Sequence, residues 1–413
     1  MTTATPPARR PDLESLYTIN PDGSRNFLHP ADVRGRWQVR KQIVWTILLV
    51  IYAVLPWIEI NGMPAVFLDI PGREAWLFGL SFTNQDTYLL FFLLTGIGFA
   101  LFVATSMWGR VWCGFACPQT VFLEGIARRL ERWIEGPREV RIRRNLAAWT
   151  AGTWGRKAAK WSLFLALALA VAVLVLSYFL PRDQRLELLT ADPANHTTAF
   201  AWMIGLTALL FFDFAWFREQ TCVVVCPYGR LQSALIDADT IGIGYDRARG
   251  EPRGKVGATT GDCIDCGRCV AVCPTGIDIR NGAQMECIGC ANCVDACDEM
   301  MAKVDRAPGL IRYDSQRGFE GRRRGLLRPR TVLYGLLLLV GASVLTVAAT
   351  QRSTFEARLL RPRGFPYTKR DDRWSNLVTL HLQNKSRLPR VFSVTSVVPE
   401  EARPFEPEFL IPT

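Results

Sequence analysis

The chain has 413 residues, of which 49% are hydrophobic, and a formal net charge of +11 at pH 7. This length allows more than one folding unit. The arginines lie between long apolar runs, where a membrane surface accounts for them, so the charge does not indicate nucleic acid. All twelve cysteines fall in four short motifs. This distribution excludes a framework of scattered disulfides and predicts thiolates kept reduced on the cytoplasmic side.

Five apolar runs, each near the ~20 residues that cross the hydrocarbon core, predict membrane helices. Their expected bounds are 42–60, 87–107, 161–180, 199–217 and 331–350. The remaining segments are a cytoplasmic N-terminal arm (1–41), a loop within the four-helix region 42–217 (108–160), a cluster-bearing segment (218–330) and a β-rich tail (351–413).

The distribution of basic residues predicts the orientation of these helices. Loop 108–160 carries eleven lysines and arginines and segment 218–330 carries seventeen, against one in loop 61–86 and two in loop 181–198. Because basic loops stay inside, the N-terminus and both basic segments are expected on the cytoplasmic face of a bacterial inner membrane. The tail is then expected in the periplasm.

The strongest motif is a double ferredoxin spacing within about residues 255–305. It reads Cys263-x-x-Cys266-x-x-Cys269-x-x-x-Cys273-Pro, followed by Cys287-x-x-Cys290-x-x-Cys293-x-x-x-Cys297. In this bacterial pattern the fourth cysteine of each run ligates the other cluster, so two [4Fe–4S] clusters are predicted. One is assigned Cys263, Cys266, Cys269 and Cys297, and the other Cys287, Cys290, Cys293 and Cys273. Two zinc sites are the alternative, but eight cysteines in this double spacing favour the clusters.

The other four cysteines form two Cys-x-x-x-Cys-Pro motifs, Cys113 with Cys117 and Cys222 with Cys226. Each motif follows the cytoplasmic end of a predicted helix, the second and the fourth. The chain therefore repeats a helix, an outer loop, a helix and a motif, and such repeats place a shared site at their interface. Proline suits the first turn of a helix and disfavours helix just before it. Each pair is thus expected at a helix break, where a helix N-terminus lowers a thiol pKa.

Four soft thiolates that converge at a membrane boundary suit Cu(I), zinc or another iron–sulfur centre. Buried thiols that only pack, or redox-active disulfides, are the alternatives. Asp213 lies inside the fourth predicted helix, about two turns before Cys222. An intramembrane carboxylate indicates function, here a proton relay. A snorkelling residue at the interface is the competing interpretation.

Two strands are predicted in the tail, at residues 377–383 and 390–398, joined by a polar turn. A lone hairpin is marginal in water, so this one is expected within a larger β unit, or packed on the membrane region or a partner. Residues from 399 onward are rich in proline and are expected to be irregular.

Together, these features resemble the FixG/RdxA/CcoG family of cytochrome oxidase accessory proteins over about residues 25–350. The motifs that carry the resemblance are Gly109-Arg-Val-Trp-Cys-Gly-Phe-Ala-Cys-Pro-Gln-Thr-Val, Cys222-Val-Val-Val-Cys-Pro-Tyr-Gly-Arg-Leu-Gln, Tyr245-Asp-Arg-Ala-Arg-Gly-Glu-Pro-Arg-Gly and Asp295-Ala-Cys-Asp. The resemblance implies reduction of Cu(II) to Cu(I) for a cbb3-type oxidase. Family members usually end in a complete immunoglobulin-like domain, whereas only about sixty residues follow the fifth helix here.

The predicted fold is a polytopic α-helical membrane protein of five transmembrane helices. It carries an inserted cytoplasmic two-cluster ferredoxin-like domain and a short periplasmic β segment, a partial immunoglobulin-like domain. Electrons are expected to pass from a cytoplasmic donor through both clusters to copper at Cys113, Cys117, Cys222 and Cys226. The expected partners are membrane lipid, that donor, copper-supply or oxidase-assembly proteins and a second copy of the chain. A quinol-linked electron-transfer subunit and a non-redox copper chaperone or assembly scaffold are the alternative functions.

Overall fold

The computed structural model describes residues 27–83, 86–148, 150–181, 184–185, 196–256, 261–325, 327–352, 355–360, 368–370, 373–375, 379–384, 390–393 and 408–411. The chain divides into two compact units. The first comprises Met1–Asn84 and Leu94–Leu339, and the second comprises Gln85–Leu93 and Val340–Thr413. Most of the predicted N-terminal arm, residues 1–26, lies outside the described residues.

Five helices of the described chain are long and apolar enough to cross a membrane, in agreement with the five predicted. They are α1 (Arg36–Trp57), α2 (Thr87–Trp108), α3 (Ala151–Leu176), α4 (Thr197–Phe217) and α5 (Pro329–Thr350). Two of them begin well before their apolar runs, α1 at residue 36 instead of 42 and α3 at residue 151 instead of 161. The polar start of α1 is stabilised by a distant part of the chain. That of α3 is stabilised by the Thr150 side chain, which accepts from the backbone N–H of Thr153, and by the pair of Lys157 with Glu135. Hydrophobicity reports neither.

The start of α1 shows the cause. The carboxylate of Asp295 accepts hydrogen bonds from the backbone N–H of Trp37, at 3.2 Å, and of Gln38, at 2.8 Å. An acidic group in this position satisfies the free amides of a helix N-terminus and complements its dipole. Asp295 lies on the helix Asn292–Lys303, which carries two of the predicted cluster ligands, so α1 begins directly on the cluster-bearing segment.

Short helices connect α2 to α3 and follow α4. After α2 they are Val111–Phe115, Pro118–Phe122, a π-helical turn Leu123–Ala127, Arg128–Glu135 and Arg138–Leu146. The last turn of α4, Asp213–Phe217, is π-helical and is followed by a second such turn, Thr221–Val225, and the helix Pro227–Leu235. These pieces pack on α3 and α4 through a buried cluster of Leu123, Ala127, Phe164, Ala168 and Phe214.

The cluster-bearing segment is closed by a two-stranded antiparallel ladder. Gly242–Tyr245 pairs with Ile311–Asp314, with Tyr245 opposite Ile311. Between these strands lie Arg247–Gly250, Arg268–Ala271, a 3₁₀ turn Ile279–Asn281 and Asn292–Lys303, and after them Gln316–Phe319. The core of this segment contains buried Ile243, Ile277, Val294 and Leu310 together with cysteines of both predicted sets.

The loop between α1 and α2 is built from short antiparallel strands. Glu59–Ile60 pairs with Met63–Pro64. Val66–Asp69, Glu74–Leu77 and Leu80–Phe82 form a three-stranded sheet in that order. The backbone N–H of Leu68 donates to the carbonyl of Tyr178, at 2.8 Å, which connects this sheet to the end of α3.

In the second unit both predicted tail strands are present, but the predicted hairpin between them is wrong. Thr379–Asn384 pairs with Phe355–Leu360 over six residues, and Arg390–Ser393 pairs with Glu408–Ile411. The stretch expected to be irregular therefore contains a strand, Glu408–Ile411. Thr368–Arg370 pairs with Arg373–Ser375. A strand immediately after α5 was not predicted, and its longer ladder outcompetes the turn-linked pairing.

Candidate redox and metal site

Both Cys-x-x-x-Cys-Pro motifs form a helix break, as the proline predicts. In the first, the chain leaves the helix Val111–Phe115 and is extended at Cys117 before the next proline opens a new helix. In the second, the chain leaves the turn Thr221–Val225 and is extended at Cys226 before the next proline does the same. The repeat is approximate, because the first motif uses an α-helical turn and the second a π-helical one.

The four thiols of these motifs lie near one another. Burial, with contributions from the nearby Cys117, Cys113 and Cys226, raises the pKa of the Cys222 thiol well above its usual value. Burial also raises the pKa of Cys113 to about 11. The expected lowering by a helix N-terminus is therefore wrong for these two thiols, because desolvation outweighs it. Among the described residues no three His, Cys, Asp or Glu side chains are grouped as a site for a metal ion.

Gln232 is a site residue that sequence reasoning missed. It is completely buried on the helix Pro227–Leu235, and the Cys113 thiol contacts its Oε1 at 3.5 Å. Within the described part of the chain its Nε2 is buried without a hydrogen-bond partner. A side-chain amide carries both a donor and an acceptor, and here the Cys113 thiol uses only the acceptor. In the sequence, the only feature that could have indicated Gln232 as a site residue is its position in the helix that follows the second motif.

Asp213 lies between the two motifs. Its carboxylate accepts from Gln119 Nε2, at 3.1 and 2.8 Å, and from Thr221 Oγ1, at 2.5 Å. Gln119 comes two residues after Cys117, and Thr221 comes immediately before Cys222. The contacts place Asp213 between the two motifs, and its predicted role as a proton relay stays a prediction.

The first predicted cluster set is brought together by the fold. Burial, with smaller contributions from Cys269, Asp298, Cys266 and Cys263, raises the pKa of the Cys297 thiol to about 12. The fourth cysteine of the second run thus lies beside the first three cysteines of the first run. This is the interlocking arrangement that the spacing predicts.

The second set lines one void. Cys273, Cys287, Cys290 and Cys293 surround it together with apolar residues, among them Ile277 and Ile288, and Cys269 of the first set also contributes to the lining. Burial raises the pKa of Cys287 to about 12, with nearby Cys290 and Cys273 contributing. Ionised together, such thiols would repel one another, so the donor set fits a cationic iron cluster, which neutralises four thiolates and holds them on separate irons. In both sets the residues present fit a [4Fe–4S] group.

The second cluster site lies directly against the first Cys-x-x-x-Cys-Pro motif. A Cβ on Gly114 would lie 2.7 Å from the carbonyl oxygen of Gly289 and 2.9 Å from the Cα of Cys290. These distances leave no room for a side chain. Gly289 has a φ of 66°, which favours glycine, and its own Cβ would meet the Arg110 carbonyl oxygen at 2.9 Å. The two loops are therefore packed backbone to backbone.

Arg110 connects the three parts of the site and was also missed. Its Nη2 donates to the carbonyl of Gly229, at 2.7 Å, in the helix after the second motif. Its Nη1 donates to the carbonyls of Met285 and, at 3.5 Å, of Cys287. Arg110 itself precedes Cys113 by three residues, so one guanidinium holds both motifs and the second cluster loop together.

A buried ion network supports the same arrangement. Glu131 is 1% exposed and accepts from Arg218, at 3.0 and 3.3 Å, and from Arg141, at 3.2 Å. Lys160 lies 3.4 Å away. Burial raises the pKa of Glu131, but the charges of Arg218, Lys160 and Arg141 together hold it well below its usual range. Since Glu131 follows the first motif and Arg218 precedes the second, this network also joins the two halves of the repeat.

Comparison with known protein families matches both parts of the site. A family described as "4Fe-4S dicluster domain" matches residues 217–316, and one described as "4Fe-4S binding domain" matches residues 89–137. The first range contains all eight cysteines of the double motif and also Cys222 and Cys226. The second range contains Cys113 and Cys117. No solved structure matches the chain.

Three curated relatives extend this result to most of the chain. Protein RdxA of Cereibacter sphaeroides is 39% identical over 343 residues, 79% of this chain and 72% of that protein. Protein RdxB of the same organism is 36% identical over 409 residues, 93% and 84% of the two chains. Nitrogen fixation protein FixG of Rhizobium meliloti is 38% identical over 305 residues, 70% and 57%. The chain therefore belongs to the RdxA, RdxB and FixG family, and it is a membrane iron–sulfur electron-transfer protein.

Proposed function

We propose that electrons pass from the two clusters to copper at Cys113, Cys117, Cys222 and Cys226, and that Cu(II) is thereby reduced to Cu(I). The observation that carries this proposal is the backbone contact between Gly114 and the loop of Gly289 and Cys290. It leaves only the thickness of two packed loops between a cluster ligand and a motif cysteine. Electrons therefore need no further carrier between the two sites.

The chemistry of the four cysteines supports copper as the acceptor. Soft thiolates bind Cu(I) in preference to the harder Cu(II), so the site itself favours the reduced ion. The two clusters, held by the eight cysteines of the double motif, would each supply one electron, which is what the reduction of one Cu(II) to Cu(I) requires. Because no metal-ion grouping of these side chains is found in the described chain, we expect copper to draw the four neighbouring sulfurs together as it binds.

The same proposal includes the placement and partners of the protein. The basic loops support a bacterial inner-membrane protein with its clusters and N-terminus in the cytoplasm and its tail in the periplasm. A cytoplasmic-side donor supplies the electrons. Copper-supply or oxidase-assembly proteins of a cbb3-type oxidase receive the Cu(I), and the tail is part of an immunoglobulin-like domain.

The test is copper reduction by the purified full chain. Protein loaded with clusters without oxygen is reduced with dithionite, freed of excess reductant and given Cu(II), and Cu(I) is measured with a chromogenic chelator. Cys113→Ser with Cys222→Ser is expected to lose copper binding and reduction while about eight irons per chain remain. The matched control, Ala116→Ser with Val224→Ser, places serines in both motifs and keeps all four sulfurs. Equal copper reduction by the cysteine variant would refute the proposal.

A second candidate rests on the match of an iron–sulfur binding family to residues 89–137. In this alternative the four motif cysteines hold a third iron–sulfur centre that passes electrons onward. Iron analysis separates the two proposals. A third four-iron cluster would give about twelve irons per chain, falling to about eight in the double serine variant, whereas the copper proposal expects about eight in both proteins.

A further inference from the structure

A large cavity lies beside the second cluster site, within the first unit. Its volume is about 890 Å³, in the range of roughly 300–1,000 Å³ that small-molecule sites occupy. Its walls come from four separate parts of the chain: the end of α2, the strand Gly242–Tyr245, the loop around residues 281–289 and residues 313–320. Electron transfer from the clusters to copper makes no use of this space.

The position of the cavity suits a molecule that delivers electrons. Cys287, a predicted cluster ligand, and Gly289 form part of one wall. Trp108, the last residue of α2, forms part of another. The cavity thus extends from the end of a membrane helix to the peptide that carries a cluster ligand, so a bound molecule would touch that peptide directly.

The shape of the lining favours a flat ring. The Phe319 ring lies on the strand at Gly244, where a Cβ would come within 2.5 Å of it. At Gly242 a Cβ would meet nothing within 4 Å, so this part of the strand faces open space. Tyr313 and Trp108 add two more aromatic side chains. Small-molecule sites of this kind combine aromatic walls with a few polar groups that orient the ligand.

One such polar group is Gln284, which also lines the cavity. Its Nε2 donates to the carbonyl of Asp278, at 3.1 Å. Its Oε1 is buried and, among the described residues, has no hydrogen-bond partner. Leaving a buried acceptor unpaired costs about 1–3 kcal/mol. A turn of the Gln284 side chain toward the cavity would let an O–H or N–H group on the edge of a bound ring satisfy it.

The charges of the lining argue against a ligand held by its phosphate. Both lining arginines already donate to backbone carbonyls, Arg110 to Gly229 and Cys287 and Arg247 to Asn281 at 3.2 Å. Three carboxylates line the same cavity: Asp237, Asp314 and Glu320. The side chains of Asp314 and Glu320 are 31% and 47% exposed. Asp314 is paired with Arg312 at 3.3 Å and Glu320 with Arg322 at 3.6 Å. Their exposed oxygens can still accept protons that a ligand releases and pass them to water.

We propose that this cavity binds the electron donor and that the donor is a hydroquinone-type ring. The ring loses two hydrogens as two protons and two electrons. The two ring O–H or N–H bonds break, and the protons go to water through Asp314 and Glu320. With both clusters bound, each would accept one of the two electrons. The ring leaves in its quinone form. A quinol from the bilayer and a reduced flavin from the cytoplasm both supply this chemistry. The inference rests on the proposed function only for the final destination of the electrons.

The test uses the full chain, loaded with clusters, in lipid vesicles without oxygen. Bleaching of cluster absorbance is followed by stopped flow after mixing with menadiol in one arm and reduced flavin mononucleotide in the other. A saturable rate is expected with at least one of them. Gly242→Phe fills the open space and should slow bleaching, or raise the half-saturating concentration, at least tenfold. The matched control is Gly155→Phe on α3, a glycine that also faces open space but lies outside the cavity.

Reduction by dithionite distinguishes a blocked cavity from damaged clusters, because dithionite reduces intact clusters without using the cavity. Reduction of Gly242→Phe by dithionite, and its electron paramagnetic resonance spectrum, should equal those of the unmodified chain. If that variant does not load its clusters, Gly242→Val takes its place. Equal bleaching of the variant and the unmodified chain, or no bleaching of the unmodified chain by either donor, would overturn the proposal. Loss of copper reduction with intact bleaching would instead count only against the proposed acceptor.

Discussion

The side-chain amide of Gln119 donates to both carboxylate oxygens of Asp213, at 3.1 and 2.8 Å. The same carboxylate accepts from Thr221, so it contacts one residue adjoining each Cys-x-x-x-Cys-Pro motif. A group in this position sets the distance between the two cysteine pairs. Because its oxygens already accept hydrogen bonds from residues beside both motifs, these contacts support positioning more than proton transfer.

Asp213→Asn separates the two roles. The new amide replaces an acceptor oxygen with a donor, so one of the hydrogen bonds to Gln119 or Thr221 is lost, at about 1–3 kcal/mol. We expect roughly a tenfold or greater loss of Cu(I) affinity, measured by competition with a chelator, and an unchanged shape of the pH profile of copper reduction. The exposed Glu139→Gln serves as the control. Intact affinity with a slower, pH-dependent reduction would point to a relay instead.

Gly114→Ala tests the contact that carries the proposed function. Its Cβ would overlap the Gly289 carbonyl and the Cys290 Cα, so the two loops must separate, and overpacking of this kind costs about 1–3 kcal/mol. We expect slower transfer from pre-reduced clusters to Cu(II), with the spectra of both clusters retained. Gly155→Ala, where the added Cβ meets nothing within 4 Å, should behave like the unmodified chain. Equal transfer rates in both variants would mean that the contact does not carry electrons.

Features set by nearby residues were predictable from the sequence. Hydropathy identified the five long helices, and proline chemistry identified the breaks at Cys117 and Cys226. The assignment of the eight cysteines to two clusters stays a prediction. The failures concern partners far apart in the chain. Asp295 caps α1 from a position more than 250 residues away, and no local pattern indicates it. The prediction of strand pairing in the tail failed for the same reason. The strand that pairs with Thr379–Asn384 is not joined to it by a short turn that the sequence would reveal.

In the candidate site, too, local features were predictable from the sequence and contacts between distant residues were not. Cys-x-x-x-Cys-Pro identified the four thiols, yet it gave no indication of Gln232, which contacts Cys113 from a different helix. The pKa expectation failed as well, since burial depends on the whole fold whereas the helix N-terminus is a local feature. Arg110 could be recognised only after the cluster loop was seen to lie beside it.

The interlocking of the two cysteine runs gives a separate prediction. Cys297→Ser and Cys266→Ser should each weaken or remove the same cluster signal in electron paramagnetic resonance, because Cys297 lies with the first three cysteines. Cys273→Ser should affect the other signal, because Cys273 lines the second void. The pair Cys297→Ser with Cys266→Ser should thus spare one cluster. If Cys297→Ser and Cys273→Ser affect the same signal, the interlocked assignment is wrong.

Glu131→Gln should destabilise the protein in a pH-dependent way. Removing one partner of a buried ion pair typically costs about 3–5 kcal/mol, and here Arg218 and Arg141 lose theirs. Because the folded-state pKa of Glu131 lies below its unfolded value, its contribution is present above the unfolded pKa. That contribution to stability is lost as the pH falls through the folded-state pKa of Glu131. The variant should therefore lose less stability on acidification than the unmodified chain. Thermal unfolding in detergent measures both effects.

The control for Glu131→Gln is Glu299→Gln. Glu299 pairs with Lys303 at 2.6 Å in an exposed i,i+4 arrangement, which is typically worth only about 0.3–0.5 kcal/mol. A similar loss of stability in both variants would show that the buried network contributes no more than an ordinary surface pair.

Lys41 is expected to raise the reduction potential of the second cluster. It is 1% exposed on α1, its ammonium donates to Asn292, and its charge acts on the Cys290 sulfur. A buried positive charge stabilises the reduced, more negative cluster, and such charges tune cluster potentials.

Lys41→Met should therefore lower one of the two midpoint potentials in a redox titration followed by electron paramagnetic resonance. A tenfold change in the redox equilibrium corresponds to about 59 mV for one electron, and we expect a shift of that order. Lys303→Met, which removes an exposed lysine, should leave both potentials in place, and an equal shift in the two variants would exclude a specific effect of Lys41.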